Sequence, residues 1–501
     1  MNYFNFLFNN KIINENYAPP PLFQLRLCEG FNKNEYPSIP VKSDTTDGIS
    51  KKQISVYIKS IHDLKLLNNF TNCYHANNQY LDLISLKQLE GIVEFKENKR
   101  YLTPQASIIF RCIRKSFEFL FNFLDDILNS IFNVLILRTQ YNPKTIKEQY
   151  WYTCLTDKLR VNGTCLIEIL KTDSDFYKKL RNNYGLIDLY DISIGAALLL
   201  IGSTMARRQG EILDLDTNLC LYPPNLDPLS NTDHSFYLRF NNRKSGISLY
   251  NLETREPLDK PIIRSVAGII YKFQSFNKKL KDHGLIPQKN NSLFNFINNT
   301  SLKLHKLDTQ NYYDFSDKFC DYIETPTVLY RNNTLYRYYL KQHQLRRFFA
   351  LMFFWSNAYD GLDTLRNFLG HTDTEHLYYY ITTELSGAVL SSVKAQYLTE
   401  SIIYSFSQAR ESIKNLESLL NILKDSFKVN SFEILSMNDF QKFYGNFSGN
   451  IKIQQELENE IFHLLDSDQI DLFPEFFTVK NQSGIYQRDF YLIIKVKDDI
   501  L

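Results

Sequence analysis

The sequence predicts a mainly α-helical protein with a small antiparallel β-sheet, arranged as a helical N-terminal domain followed by a mixed α/β domain. Three observations predict it. Apolar residues recur at helical spacing over 103–137: Ile109, Ile113, Phe117, Phe121, Leu124 and Leu128. The most apolar run, 192–206, reads as a buried helix. A β-like stretch at 235–249 surrounds an Asn-Asn-Arg-Lys-Ser-Gly turn at 241–246. The composition agrees, because a chain 44% hydrophobic and 22% charged can fill packed cores and is not disordered throughout.

The elements follow in order. Residues 1–50 hold Pro19, Pro20 and Pro21 and a polar stretch, and read as an irregular arm. Residues 51–180 read as helical, with Pro104 placed as a first-turn proline after a Thr103 cap. Polar sequence at 172–186 suggests a linker. A second unit, 186–400, opens with the apolar helix, which is expected to run into Arg207 and Arg208. That run is shorter than the ~20 residues a membrane span needs, so a core helix is the better reading. A helix over 262–284 is expected next. Residues 286–335 give no clear pattern, and helical spacing returns from about 340 to about 425. The extension 401–501 reads as an acidic helix over 454–465 and a terminal strand over 490–496.

Charge separates these regions. The whole chain carries +2, yet 401–501 has 10 basic and 15 acidic side chains, leaving 47 basic and 40 acidic in 1–400. A modestly basic body with an acidic tail neither requires nor forbids a nucleic-acid partner. Seven cysteines with no CxxC pair indicate reduced thiols in an intracellular, cytoplasmic protein. The N-terminus lacks the pattern of a secretory signal, and no membrane association is expected.

Chemistry concentrates in three separated segments. In the first, Arg208 and Glu211 are three apart, so on a helix they share a face with Ile212 and Leu215, and the carboxylate can orient the guanidinium. Alone, this is a common surface ion pair. In the second, Lys244 sits at a hairpin tip, from which an ammonium can reach into a groove; alone, it is a solvated turn lysine. The third holds His343-Gln-Leu-Arg346, then Leu369-Gly370-His371, then Tyr378-Tyr379-Tyr380. Gly370 suits a helix end in left-handed conformation. His371 and His376 are five apart, off the spacing of a helical zinc pair, and no metal site is expected.

In this order, the segments resemble the tyrosine recombinases of the phage-integrase type. Arg208, Glu211 and Leu215 match the family's R-x-x-E box, Lys244 its hairpin lysine, His343 and Arg346 its H-x-L-R box, and Leu369, Gly370 and His371 its L-G-H box. Tyr380 lies nine residues after His371, where the family places its nucleophile. Tyr379 and Tyr378 are alternatives, and the interval from His343 to His371 is slightly long. The resemblance covers 188–395 and implies a core-binding domain over 51–180, a catalytic domain over 186–400 and a covalent 3′-phosphotyrosyl intermediate.

It implies catalytic roles for Arg208, Lys244, His343, Arg346, His371 and Tyr380, with Glu211 behind Arg208. It also implies double-stranded DNA as partner, a homo-tetramer on two sites, and no cofactor. Arg111, Arg114 and Lys115 on the 103–137 helix are candidate phosphate contacts, as are Arg207 and Arg347 beside the two arginine boxes. Residues 386–425 are expected either to dock on a neighbouring subunit or to cover their own catalytic domain. A telomere resolvase, a type IB topoisomerase-like enzyme, and a non-catalytic DNA-binding regulator on the same scaffold are the competing readings.

Overall fold

The computed structural model describes residues 34–41, 51–63, 85–86, 103–141, 148–242, 257–298, 301–330, 334–369, 388–404, 413–427, 447–480 and 486–497. Its helices are α1 (Lys51–Asp63), α2 (Ala106–Gln140), α3 (Leu186–Met205), α4 (Gln209–Leu213), α5 (Arg264–Asp282), α6 (Thr309–Tyr322), α7 (Gln342–Leu369), α8 (Ala388–Tyr404), α9 (Leu416–Phe427) and α10 (Phe447–Asp466), with short helices at Glu148–Cys154, Asp157–Val161 and Phe176–Arg181. The strands before the C-terminal sheet are short. β1 (Leu221–Tyr222), β2 (Tyr237–Asn241) and β3 (Pro257–Pro261) form one antiparallel sheet in that order. The pairs β4 (Asn295–Asn298) with β5 (Lys303–Lys306), and β6 (Thr327–Tyr330) with β7 (Thr334–Arg337), are antiparallel hairpins.

Helix α3 is the axis of the structure. Its run of Leu, Ile and Ala buries every residue except Thr204, so it is apolar all round because it is surrounded. Its 20 residues and composition would suit a membrane span, but it lies wholly inside the protein as a core helix. Helices α2, α6 and the start of α7 pack on it. Gly195 allows the closest approach of α6, since a Cβ there would collide with the Phe315 carbonyl. The apolar stripe of α2 meets the same core through Ile109, Leu124 and Leu128, whereas Phe121 is exposed.

This first core continues through the 172–186 segment. Leu180 and Leu186 are buried, and Leu186 and Ile187 donate backbone hydrogen bonds to the carbonyls of Leu166 and Ile167. The stretch read as a linker is therefore packed structure. A second core holds Ala350, Phe354, Trp355, Leu365 and Leu369 of α7 together with α8, α9, α10 and a C-terminal sheet. In that sheet β10 (Tyr486–Val496) pairs antiparallel with β9 (Ile470–Lys480) and parallel with the short β8 (Ile413–Lys414). Helices α8 and α9 thus bury their leucines in this second core.

The structure adds detail that the sequence did not give. Helix α2 starts at Ala106 rather than at Pro104. The unassigned 286–335 region contains α6 and two hairpins, and the tail contains β9 as well as the terminal strand. Residues 34–41 of the arm are seated on the body. Asn34 donates to Asp317 at 3.0 Å, the Glu35 N–H to Asp321 at 3.3 Å, and Glu35 pairs with Arg337 at 3.0 Å. The Arg337 N–H donates to the Pro37 carbonyl, and the Ile39 N–H to the Arg337 carbonyl.

Candidate active site

The site is built on the corner between α3 and α4. Helix α3 stops at Met205 because Ala206 takes a left-handed conformation, φ +50°. A residue with a Cβ is strained there and stays only where its surroundings hold it. Arg346 supplies that hold, its Nη1 donating to the Ala206 carbonyl at 2.5 Å. The expected continuous helical face through Arg208 is therefore broken. Arg208 is the N-cap of the five-residue α4, and Leu215 lies beyond that helix. Glu211 still orients it. Its buried carboxylate accepts the Arg208 backbone N–H at 3.0 Å and Nη1 at 2.7 Å, as a first-turn acid does in a capping box. Arg208 Nη1 also donates to Asn242 Oδ1 at 3.3 Å, just past the end of β2. The Arg208 side chain is 14% exposed, so it reaches the surface while held from behind.

Helix α7 brings the second box to the same corner. Gln342, in its first turn, is buried. Its Nε2 donates to the Arg207 carbonyl at 2.5 Å and its Oε1 accepts from Tyr312 at 2.7 Å. A Cβ on Gly202 would displace the same Gln342 side-chain amide, so a glycine there lets that amide keep its place where α7 crosses α3. One turn on, Arg346 is 1% exposed, and its Nη2 donates to the Leu369 carbonyl at 2.8 Å, at the far end of α7. His343 lies at the surface, on the wall of a cleft of about 470 Å³ shared with Lys341, Tyr313 and, from the arm, Tyr36. Lys341 is locked beside it by Asp317 at 2.7 Å.

Arg207 and Arg347 are placed differently from the expectation that they contact flanking phosphates: both are buried, 0% and 3% exposed. Arg207 Nε donates to the Met205 carbonyl at 2.6 Å and Nη2 to the Phe368 carbonyl. Its guanidinium lies 4.2 Å from the Phe240 ring centroid and 5.1 Å from that of Phe368. Burial lowers its pKa to about 9, with the nearby Arg346 charge acting in the same direction. A guanidinium enclosed by carbonyls and aromatic faces is not exposed to a phosphate. Arg111, Arg114 and Lys115 are on the outer part of α2, where Arg114 and Lys115 share Glu118 at 2.9 and 2.8 Å. Those two cations hold the Glu118 carboxyl below its usual range.

Lys244, His371 and Tyr380, with Tyr378 and Tyr379, lie outside the described residues. The described part of the site is therefore the convergence of the R-x-x-E box, the H-x-L-R helix, the last residues before Gly370 and the root of the 241–246 turn. Sequence reasoning did not find Gln342, Tyr312 or Asn242. Each acts through a hydrogen bond to a residue far along the chain, for which spacing gives no sign. Among the described residues, no group of three or more His, Cys, Asp or Glu could hold a metal ion.

The sequence matches no protein-family profile and no curated protein. Among solved structures the chain is similar to the XerH site-specific recombinase bound to difH substrate, a pre-cleavage complex, at 13% identity and a TM-score of 0.25. That likeness covers 49% of this chain and 64% of the recombinase chain, and a TM-score at that level is too low to carry an argument about fold or function.

Proposed function

We propose that this chain is a site-specific DNA recombinase of the tyrosine type. It would cut and rejoin double-stranded DNA through a 3′-phosphotyrosyl intermediate and work as a homo-tetramer on two sites. One observation carries the reading: the boxes that order alone had linked are stitched to one corner of the fold. Arg346 bridges Ala206 to Leu369, Arg207 bridges Met205 to Phe368, and Gln342 holds the Arg207 carbonyl.

In the proposed reaction the Tyr380 oxygen attacks the phosphorus and the bond from phosphorus to the 5′-oxygen breaks. The tyrosine proton passes to His343 or His371, and Lys244 protonates the leaving 5′-oxygen. Arg208 stabilises the charge that grows on the phosphoryl oxygens, and Arg346 joins it once one of its Nη atoms leaves the backbone carbonyl that it holds in this structure. Attack by a 5′-hydroxyl of another strand reverses these steps and releases the tyrosine, so the phosphotyrosyl bond conserves the energy of the broken one. The scheme needs no cofactor.

A second reading, a DNA-binding regulator on the same scaffold, is favoured by Arg346 being 1% exposed with both Nη atoms on backbone carbonyls. A nicked suicide duplex decides between them. With sites from DNA flanking the gene, the enzyme reading expects a covalent protein–DNA adduct that disappears in Tyr380→Phe. An adduct that persists moves the nucleophile to Tyr379 or Tyr378. Tight binding with no adduct supports the regulator.

A further inference from the structure

We propose that Arg207 is a positioning residue, which anchors the C-terminal end of α7 and strand β2 to the α3–α4 corner and so sets the starting points of the segments that carry His371 and Lys244. The roles of those two residues rest on the function proposed above; the anchoring itself rests on contacts alone.

The last carbonyls of a helix have no partner within it and must be satisfied from outside. At the end of α7, two guanidinium groups do this: Arg207 Nη2, from the α3–α4 corner, donates to the Phe368 carbonyl, and Arg346 Nη2, from the start of α7 itself, donates to the Leu369 carbonyl. Cations also suit the negative end of the helix dipole. His371 is two residues past Leu369 in sequence. Arg207 is in addition the residue that touches all three neighbours, its guanidinium lying between the rings of Phe240 on β2 and Phe368 on α7 while its Nε holds the Met205 carbonyl at the end of α3. Phe240 is four residues before Lys244.

The arrangement is costly, which argues that it is specific. Arg207 is 0% exposed, and its Nη1 is buried with no hydrogen-bond partner among the described residues. Glu211, the carboxylate that acts on it, is paired with Arg208 at 2.7 Å instead. A neutral side chain of similar length would fill the space without burying a charge. What a neutral side chain loses is the carbonyl anchor.

The test compares the full-length wild type with Arg207→Met and Arg207→Lys on a nicked duplex. It reads DNA affinity against salt, the rate of covalent adduct formation at saturating DNA, and hydrogen exchange of the 366–369 amides. The anchor expects Arg207→Met to bind DNA as wild type does with an unchanged salt slope, to form adduct at least ten-fold more slowly, and to exchange the 366–369 amides at least ten-fold faster. Arg207→Lys, whose ammonium can still reach a carbonyl, recovers part of both losses. A salt slope reduced by about 0.9 would make Arg207 a phosphate contact instead and overturn the proposal. So would an unchanged adduct rate in a folded Arg207→Met. If wild type itself forms no adduct, the proposed function fails, and unchanged exchange at 366–369 then independently overturns the anchoring.

Discussion

The Gln342–Tyr312 pair offers the sharpest test of how the two arginine boxes are held together. Gln342 is 2% exposed, accepts the Tyr312 hydroxyl at 2.7 Å and donates to the Arg207 carbonyl at 2.5 Å. Tyr312→Phe removes one bond and leaves a buried amide oxygen without that donor, a loss of about 1–2 kcal/mol. Gln342→Met keeps the length but removes both bonds and the longer one from Nε2 to the Gly202 carbonyl at 3.4 Å, leaving the Arg207 carbonyl and the Tyr312 hydroxyl without that partner, about 2–4 kcal/mol in all. In the double variant the orphaned hydroxyl is gone, so the total falls short of the sum of the singles by about 1–2 kcal/mol. Urea unfolding reads these values. Trp151 reports on the first core and the buried Trp355 on the second, so coincident fluorescence transitions would show the two cores unfolding as one. Losses that add to within about 0.5 kcal/mol would mean that the two side chains do not share a bond, and the account of the corner would fail.

Two other expected outcomes concern buried charge. Lys318 of α6 is held between Asp188 at 3.1 Å and Asp191 at 2.6 Å on α3, both carboxylates being almost wholly buried. Lys318→Met strands them and costs about 3–5 kcal/mol in urea unfolding, and adding Asp188→Asn and Asp191→Asn recovers most of it. No recovery would mean that lost packing of the lysine stem sets the cost. The second outcome is a pH dependence. Burial pushes the Asp321 carboxyl up to about 7, although Tyr339, the Glu35 N–H and Arg337 pull it the other way. A folded-state pKa above the ordinary value of ~3.9 means that the folded protein holds a proton the unfolded chain has lost. Stability from this group is therefore greatest below about pH 4 and declines until about pH 7, by up to about 1.4 kcal/mol per pH unit. Asp321→Asn removes that slope, so urea midpoints of wild type and variant should diverge across this window and run parallel on either side. Parallel behaviour throughout would show that Asp321 does not titrate there.

The sequence by itself determined the elements that local rules govern. The β-like stretch before the 241–246 turn marked β2, the apolar run marked a buried helix at α3, and helical pattern marked α2 and α5. It also supplied the order of chemical boxes, because residue type and spacing are written directly in the chain. Helix α6 escaped because its Asn, Asp, Tyr and Ser residues have weak helix propensity and the element depends on α3 for burial. Strand β9, which contains Pro474, depends in the same way on the long β10 beside it.

Only the tertiary structure decided which charges face inward. Arg207 and Arg208 are adjacent in sequence, yet one is enclosed by Phe240 and Phe368 and the other reaches the surface on the support of Glu211. The difference follows from a single left-handed residue, Ala206, whose carbonyl is held by a side chain 140 positions away. Local propensity cannot encode such a contact, because its free energy exists only once α3 and α7 are packed together.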